Sequence, residues 1–397
     1  MKSILLSVCL TFCILQNTFA QVVPLELAEE SRIPNGINSP FLYYVPQMSF
    51  IGEDLYVATP TGLYKRDVFG DAKWKKVSVT DTLVVDFEVR GDTLAVLTRD
   101  SLYLSTDCCK SYTTIPLNTF IGEDPYDDRK LYHVEFHPND ANSIYVAYRG
   151  ISYSTDFGKT WEQLSFDKIP VGSYTYSSSP TNILFNPNDP THLVTYGNYP
   201  YFNSSDVLQS CDSGEHWSRT YYDGGVSEIH NVAFHPTDKN KMIVCGLEVF
   251  LKQEQQGQLL DNLYKPESKY PQLVAYLFDA VYDSRNPNIL YGADMPTNGS
   301  KCIVILRSVD GGLTWEKFYT IECENLDYAL KLAIKDNILA IYSYASGIYL
   351  LDVDAVEASI VSTKIETTTS YYDLSGRKVA HPTRGFYIKD GRKVKIN

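Results

Sequence analysis

The sequence predicts an all-β chain: a seven-bladed β-propeller of four-stranded antiparallel blades, followed by a small C-terminal β-hairpin unit. Three observations predict it. An eight-residue figure, Ser-x-Asp-x-Gly-x-(Thr/His)-Trp, occurs at Ser154–Trp161, Ser210–Trp217 and Ser308–Trp315. A second phrase, aromatic-x-Pro-x-Asp, occurs at Phe136–Asp140, Phe185–Asp189 and Phe234–Asp238, with a weaker copy at Asp283–Asn288. Short apolar strands surround both phrases at a period of roughly 40–50 residues, the length of a propeller blade.

Each element of the unit follows from its residues. Pro and Asn/Asp end a strand and set a turn. In the eight-residue figure the Asp carboxylate accepts N–H groups of its own turn, the Gly takes positive φ, and the Trp buries a broad ring. Asp107, Asp156, Asp212 and Asp310, with Gly158, Gly214 and Gly312 and with Trp161, Trp217 and Trp315, are therefore read as structural. The unit is strand, Pro-Asn turn, strand, loop, strand, Asp turn, strand. Seven such units start near residues 48, 86, 133, 182, 231, 280 and 330, and together span 48–355. A single blade exposes both sheet faces, so blades must stack around an axis. One amphipathic helical stretch is expected, Gln253–Leu263, and Phe41–Val45 is expected to close the ring.

The two ends differ from the middle. Residues 1–20 read as a secretory signal: Lys2, an apolar run from Ile4 to Leu15, and a small-residue cleavage site before Gln21. No later run is long enough for a membrane span. Residues 21–47 form an N-terminal segment, and residues 356–397 a basic tail. Within 371–397 seven Lys and Arg face two Asp, in a chain whose net charge is −13. That acidic total argues against a nucleic-acid partner. Six cysteines remain beyond the signal: Cys108, Cys109, Cys211, Cys245, Cys302 and Cys323. Their spacing fits no zinc site. A Cys302–Cys323 disulfide across one hairpin is an open alternative to two free thiols.

The eight-residue figure resembles the Asp-box, or BNR repeat, of sialidases, sortilin-type receptors, xyloglucan-cleaving glycosidases and photosystem II assembly factors. The Phe-x-Pro-x-Asp phrase is most similar to the last three. The resemblance implies a propeller and leaves open enzyme, receptor or assembly factor. The tail, Tyr371–Val379 with Gly385–Val394, resembles the type A sorting signal of Bacteroidetes type IX secretion. It implies a surface or extracellular address and the secretion machinery as a partner. Three Asp-Thr/Ser-Leu triplets resemble the O-glycosylation acceptor of that phylum.

Asp turns and Pro-Asn turns fall on one rim, so ligands are expected on the opposite face. Its loops carry Tyr126, Arg129, Arg149, Tyr174, Tyr176, Arg219, Tyr221, Tyr222 and Tyr328. Tyr rings stack on sugars and Arg pairs with acidic or hydroxyl groups, so a glycan or an extracellular protein is the expected partner. A glycosidase would need two carboxylates across a cleft. Asp127, Asp128, Asp223, Glu228, Glu324 and Asp327 are the candidates, and no spacing rule selects a pair. A sialidase would need clustered arginines; Arg32-Ile33-Pro34 resembles a sialidase opening, and Arg99, Arg149 and Arg219 are available. Nucleophile elbows, P-loops, GxGxxG strands and HExxH helices are absent, so no cofactor and no metal are expected.

Overall fold

The computed structural model describes residues 23–25, 47–70, 73–77, 82–120, 133–140, 142–148, 150–164, 170–171, 174–175, 182–199, 204–223, 229–246, 250–255, 258–259, 277–294, 301–323, 330–343, 346–358, 371–372, 378–379, 385–389 and 392–396. It is nearly all β. Between Val23 and Asp352 seven four-stranded antiparallel sheets stand among the described residues. Their first strands are Met48–Ile51, Val84–Arg90, His133–Phe136, Leu184–Asn186, Ile229–Phe234, Asp279–Tyr282 and Leu330–Lys335. Sheets one to six run in sequence order from strand one to strand four.

Consecutive sheets pack face to face. Tyr56 and Leu63 of sheet one meet Phe87 and Val89 of sheet two. Leu104 and Ile115 of sheet two meet Val134 and Phe136 of sheet three. Tyr145 and Ile151 meet Ile183 and Phe185, and Val194 and Val207 meet Val232 and Met242. Ile243 and Cys245 meet Leu277 and Ala280. The ring closes where Met48 and Val57 of sheet one pack on Ala340 and Tyr342 of sheet seven. The core thus lies between sheets, as expected when each sheet is apolar on both faces.

The closing strand differs from expectation. Val23–Leu25 pairs with Gly347–Asp352 and supplies the fourth strand of sheet seven. It comes from the N-terminal segment as expected, but Phe41–Val45 lies outside the described residues. The helix expected over Gln253–Leu263 is replaced in its described part by strands Phe250–Gln255 and Gln258–Leu259, the third and fourth of sheet five. Antiparallel pairing with Lys241–Gly246 overrides local helical periodicity there. A short helix at 353–358 was not expected; the Asp352 carboxylate caps it, accepting from Asp354 N and Ala355 N at 3.0 Å each.

The Cys302–Cys323 disulfide is absent, and all six cysteines are free thiols. Cys302 lies opposite Glu322, and Cys323 N bonds to Lys301 O. That register places the two side chains on opposite faces of the hairpin.

The chain divides into two compact units, one of which runs from Val23 to Leu350. The other holds the tail, a four-stranded sheet ordered Lys378–Val379, Tyr371–Tyr372, Gly385–Lys389, Arg392–Ile396. The expected hairpin is its last two strands. No described helix is long and apolar enough to cross a membrane.

Candidate functional site: the polar inner strands

The Asp turns are built from within. At Ser154–Trp161, Asp156 Oδ1 accepts from Ser154 Oγ at 2.8 Å and from Thr160 N at 2.8 Å; Oδ2 accepts from Thr160 Oγ1 at 2.7 Å. Gly158 N donates to Ser154 Oγ, and Trp161 Nε1 donates to Gly158 O. The same bonds recur around Asp212 and Asp310, with Trp217 and Trp315 donating to Gly214 O and Gly312 O. Asp107 keeps the carboxylate bonds, although Cys109 stands in the Gly place and Tyr112 in the Trp place. Hydrogen bonds from the residue four places on lead in holding Asp107, Asp156 and Asp212 down at about 2. Each Asp turn also bonds to the first turn of its own sheet: Phe157 N to Asn142 O, Ser213 N to Thr191 O and Gly311 N to Asn288 O, all at 2.9 Å. Both turns therefore share one rim, and their polar groups are consumed in holding it.

The opposite face is only partly visible. Tyr126, Asp127, Asp128, Arg129, Arg149, Tyr176, Glu228, Glu324, Asp327 and Tyr328 lie outside the described residues. Tyr174 belongs to a two-stranded ribbon with Pro170–Val171. Arg219, Tyr221, Tyr222 and Asp223 are not loop residues. They lie on Ser218–Asp223, the fourth strand of sheet four, paired with Ser204–Ser210. That is the last strand in the order of its sheet.

A different set of polar residues comes together at the axis. First strands approach one another directly between sheets two and three, five and six, six and seven, and seven and one. Aligned by their register with the second strands, the seven first strands or their leading edges carry one polar residue at a common level. These are Gln47, Asp86, His133, Asn182, Asn231, Asp279 and Lys331. The two aspartates bridge sheets by accepting a backbone N–H from the next one. Asp86 Oδ2 accepts from Val134 N of sheet three at 2.8 Å, and its Oδ1 from Phe87 N at 2.8 Å. Asp279 Oδ2 accepts from Leu332 N of sheet seven at 2.7 Å, while Oδ1 takes Ala280 N and the Asn231 amide. In both bridges the residue before the donating N–H is a cation. His133 Nδ1 lies 2.7 Å from Asp86, and Lys331 Nζ 3.7 Å from Asp279.

Two residues further along, on the same strand face, the level reads Ser49, Glu88, Glu135, Leu184, Ala233, Val281 and Ala333. It holds two carboxylates on adjacent strands in an otherwise uncharged ring. Burial first, then the charges of Glu135 and Asp86, raise the Glu88 carboxyl well above the usual range; His133 and Arg90 oppose this. Burial would lower the His133 pKa, but the Asp86 charge and hydrogen bond, with Glu135, outweigh it and hold it at about 10. His133 is thus an imidazolium at neutral pH. Its Nε2 lies 3.4 Å from Glu135 Oε2, off hydrogen-bonding alignment, and is buried without a hydrogen bond. Arg90 is committed elsewhere: its guanidinium donates to His137 O at 2.7 Å and to Phe136 O at 3.4 Å.

Sequence reading missed this site. A signal was present: a polar residue three places before the aromatic of the Pro-Asn phrase, as in His133/Phe136, Asn182/Phe185, Asn231/Phe234 and Asp279/Tyr282. Among the described residues Asp212, Glu215 and His216, on an exposed Asp turn, bring three metal-ligating atoms together.

No protein-family model matches the chain, and no curated protein matches it. Solved structures do. A structure of YCF48 bound to D1 peptide is 18% identical, with a TM-score of 0.50, over 79% of this chain and 93% of that one. A GH74 xyloglucanase from Xanthomonas campestris is 12% identical, with a TM-score of 0.57, over 83% of this chain. The fold is a β-propeller. The chain spans about half of that xyloglucanase, 53% of its length. The extracellular domain of a hybrid two-component system of B. thetaiotaomicron is 15% identical, with a TM-score of 0.53, over 83% of this chain and 42% of that one. Identities this low carry the propeller and not its function.

Proposed function

We propose that the chain is a secreted or surface-delivered seven-bladed propeller that binds an extracellular protein or glycan partner without turning it over. The carrying observation is how the inner carboxylates are used. Asp86 and Asp279 have both oxygens occupied by N–H donors, so neither is free to move protons. A polypeptide partner is favoured over a glycan by the peptide bound to the YCF48 propeller. The signal-like residues 1–20 and the sorting-like tail give the address. The decisive experiment pairs a peptide array and a glycan array with a panel of aryl-glycosides and polysaccharides, all on the purified chain. Saturable binding without turnover is expected; turnover would refute the reading.

One observation favours a second reading, a glycoside hydrolase. Burial first, and then the charge of Glu135, raise the Glu88 carboxyl, and a raised carboxyl near a second carboxylate is how a general acid is paired with a nucleophile or base. In that case glycoside turnover appears and Glu88→Gln abolishes it.

A further inference from the structure

We propose that the outer strands of sheet one carry a seat for a carboxylate of an acidic polypeptide segment, with the Arg66 guanidinium as its anchor and Lys73, Lys75 and Lys76 around it. This rests on the polypeptide reading above.

The repeat supplies an internal comparison. In sheets three, four and six the register of the third and fourth strands, continued by one residue, sets the Trp of the Asp turn opposite its Ser. Trp161 faces Ser154, Trp217 faces Ser210 and Trp315 faces Ser308. Each pair is satisfied: the Ser hydroxyl accepts the N–H of the turn glycine, and the Trp Nε1 donates to that glycine's carbonyl. In sheet one the third strand is Gly62–Asp67 and the fourth is Lys75–Lys76. Tyr64 lies opposite Lys76 and Lys65 opposite Lys75, so Trp74 falls opposite Arg66, on the same sheet face. The Ser place thus holds a guanidinium, and the turn is one residue longer. Arg66 Nε and Trp74 Nε1 are both buried without a hydrogen bond. Where three sheets have satisfied groups, sheet one has two donors and no acceptor.

The guanidinium is open on its outer side. Arg66 is half-buried, makes no side-chain hydrogen bond or ion pair among the described residues, and has only Nε fully covered, so Nη1 and Nη2 reach solvent. Those two nitrogens form an end-on fork that a carboxylate fits with two parallel hydrogen bonds. The packing that covers Nε holds the fork in place: Trp74 belongs to the apolar cluster between sheets one and seven, and Leu55 of that cluster pairs with Arg66 across the strands.

The surroundings add positive charge. Residues 65–76 carry five Lys and Arg against two Asp, in a chain of net charge −13. Lys73, Lys75 and Lys76 are exposed. Asp67 spends its Oδ1 on Phe69 N and Gly70 N, and Lys65 is held by Asp54 at 2.7 Å. A basic patch on an acidic chain orients an acidic partner, because the rest of the surface repels it. Phe69, exposed two residues after Asp67, offers an apolar face to the residues that flank the carboxylate.

The test uses the full chain labelled with 15N at its indole nitrogens, with hexa-L-glutamate as probe. The Trp74 signal is assigned by its loss in Trp74→Phe. Expected is a saturable movement of that signal, with those of Trp161, Trp217 and Trp315 unmoved and hexa-L-glutamine at matched ionic strength without effect. Arg66→Gln should weaken the response at least about tenfold and Lys75→Gln about two- to fivefold. Arg66→Lys, which keeps the charge and loses the fork, should recover part of it. No saturable movement, an equal response to hexaglutamine, movement of the other three signals without that of Trp74, or an unchanged response in Arg66→Gln overturns the seat. Hexagalacturonate moving Trp74 where hexaglutamate does not would place a glycan there and also overturns it. The wild-type titration and its hexaglutamine control need no Arg66 variant to fold. If hexaglutamate moves Trp74 but no peptide on the array binds, the binding function fails and the seat stands. If a peptide binds wild type and Arg66→Gln equally and hexaglutamate leaves Trp74 unmoved, the seat alone fails.

Discussion

Gly158 and Gly311 separate two costs that usually arrive together. Both have positive φ, +80° and +76°. Alanine at either position places a Cβ in left-handed backbone, at about 1–2 kcal/mol. Their surroundings differ. A Cβ on Gly158 would lie 2.5 Å from Leu104 Cδ1 and 2.9 Å from Ile115 Cδ1, both on sheet two; a Cβ on Gly311 meets nothing within 4 Å. Overpacking an interface of this kind costs about 1–3 kcal/mol. Gly158→Ala should therefore cost about 2–5 kcal/mol and Gly311→Ala about 1–2 kcal/mol. Equilibrium urea unfolding measures both, provided the slope stays constant so that midpoints report stability. In a double-mutant cycle Leu104→Ala should relieve part of the Gly158→Ala cost, because the two sites touch. Equal losses at Gly158 and Gly311 would refute the claim that this Asp turn is pressed into the neighbouring sheet.

Four further outcomes are expected. Asp86→Asn leaves the His133 imidazolium buried without its counter-charge and should cost about 3–5 kcal/mol in urea unfolding. The His133 pKa is raised to about 10 by folding, so its stabilisation is full below the unfolded value of about 6.5 and is lost as pH rises through 10. Thermal midpoints should fall across that window in the wild type and fall less in His133→Gln. The Asp-turn carboxyls are depressed to about 2, so their stabilisation is present above about pH 4 and lost as pH falls through 2; Asp156→Asn should flatten that acid limb. Thiol titration of the denatured, unreduced protein should find all of Cys108, Cys109, Cys211, Cys245, Cys302 and Cys323 reactive; a missing pair at Cys302 and Cys323 would contradict the hairpin register.

What the sequence revealed depends on how far each interaction reaches along the chain. The Asp turns were legible because Ser154, Asp156, Gly158, Thr160 and Trp161 satisfy one another within eight residues. The closing strand was not, because Val23–Leu25 finds its partner more than 300 residues away through three apolar residues, a signal that Phe41–Val45 carries equally. Arg219, Tyr221 and Tyr222 read as loop because they follow a turn, but a register shift between Val207 and Leu208 carries the strand on to Asp223. The axial bridges span 48 and 53 residues, so no local spacing ties Asp86 to Val134 or Asp279 to Leu332. Once those bridges are aligned, the repeat separates two kinds of buried charge. A carboxylate that recurs with the same backbone donors belongs to the architecture, as Asp86 and Asp279 do. A carboxylate that appears in one pair of sheets, where the equivalent pair has Val281 and Ala333, has no such structural role. Burial penalises Glu88, the neighbouring Glu135 adds to the penalty, and no hydrogen bond offsets it. The fold holds the same position elsewhere with an apolar side chain, Val281 or Ala333, and keeps that destabilisation at Glu88, whereas the more conspicuous Asp turns spend their carboxylates on their own backbone.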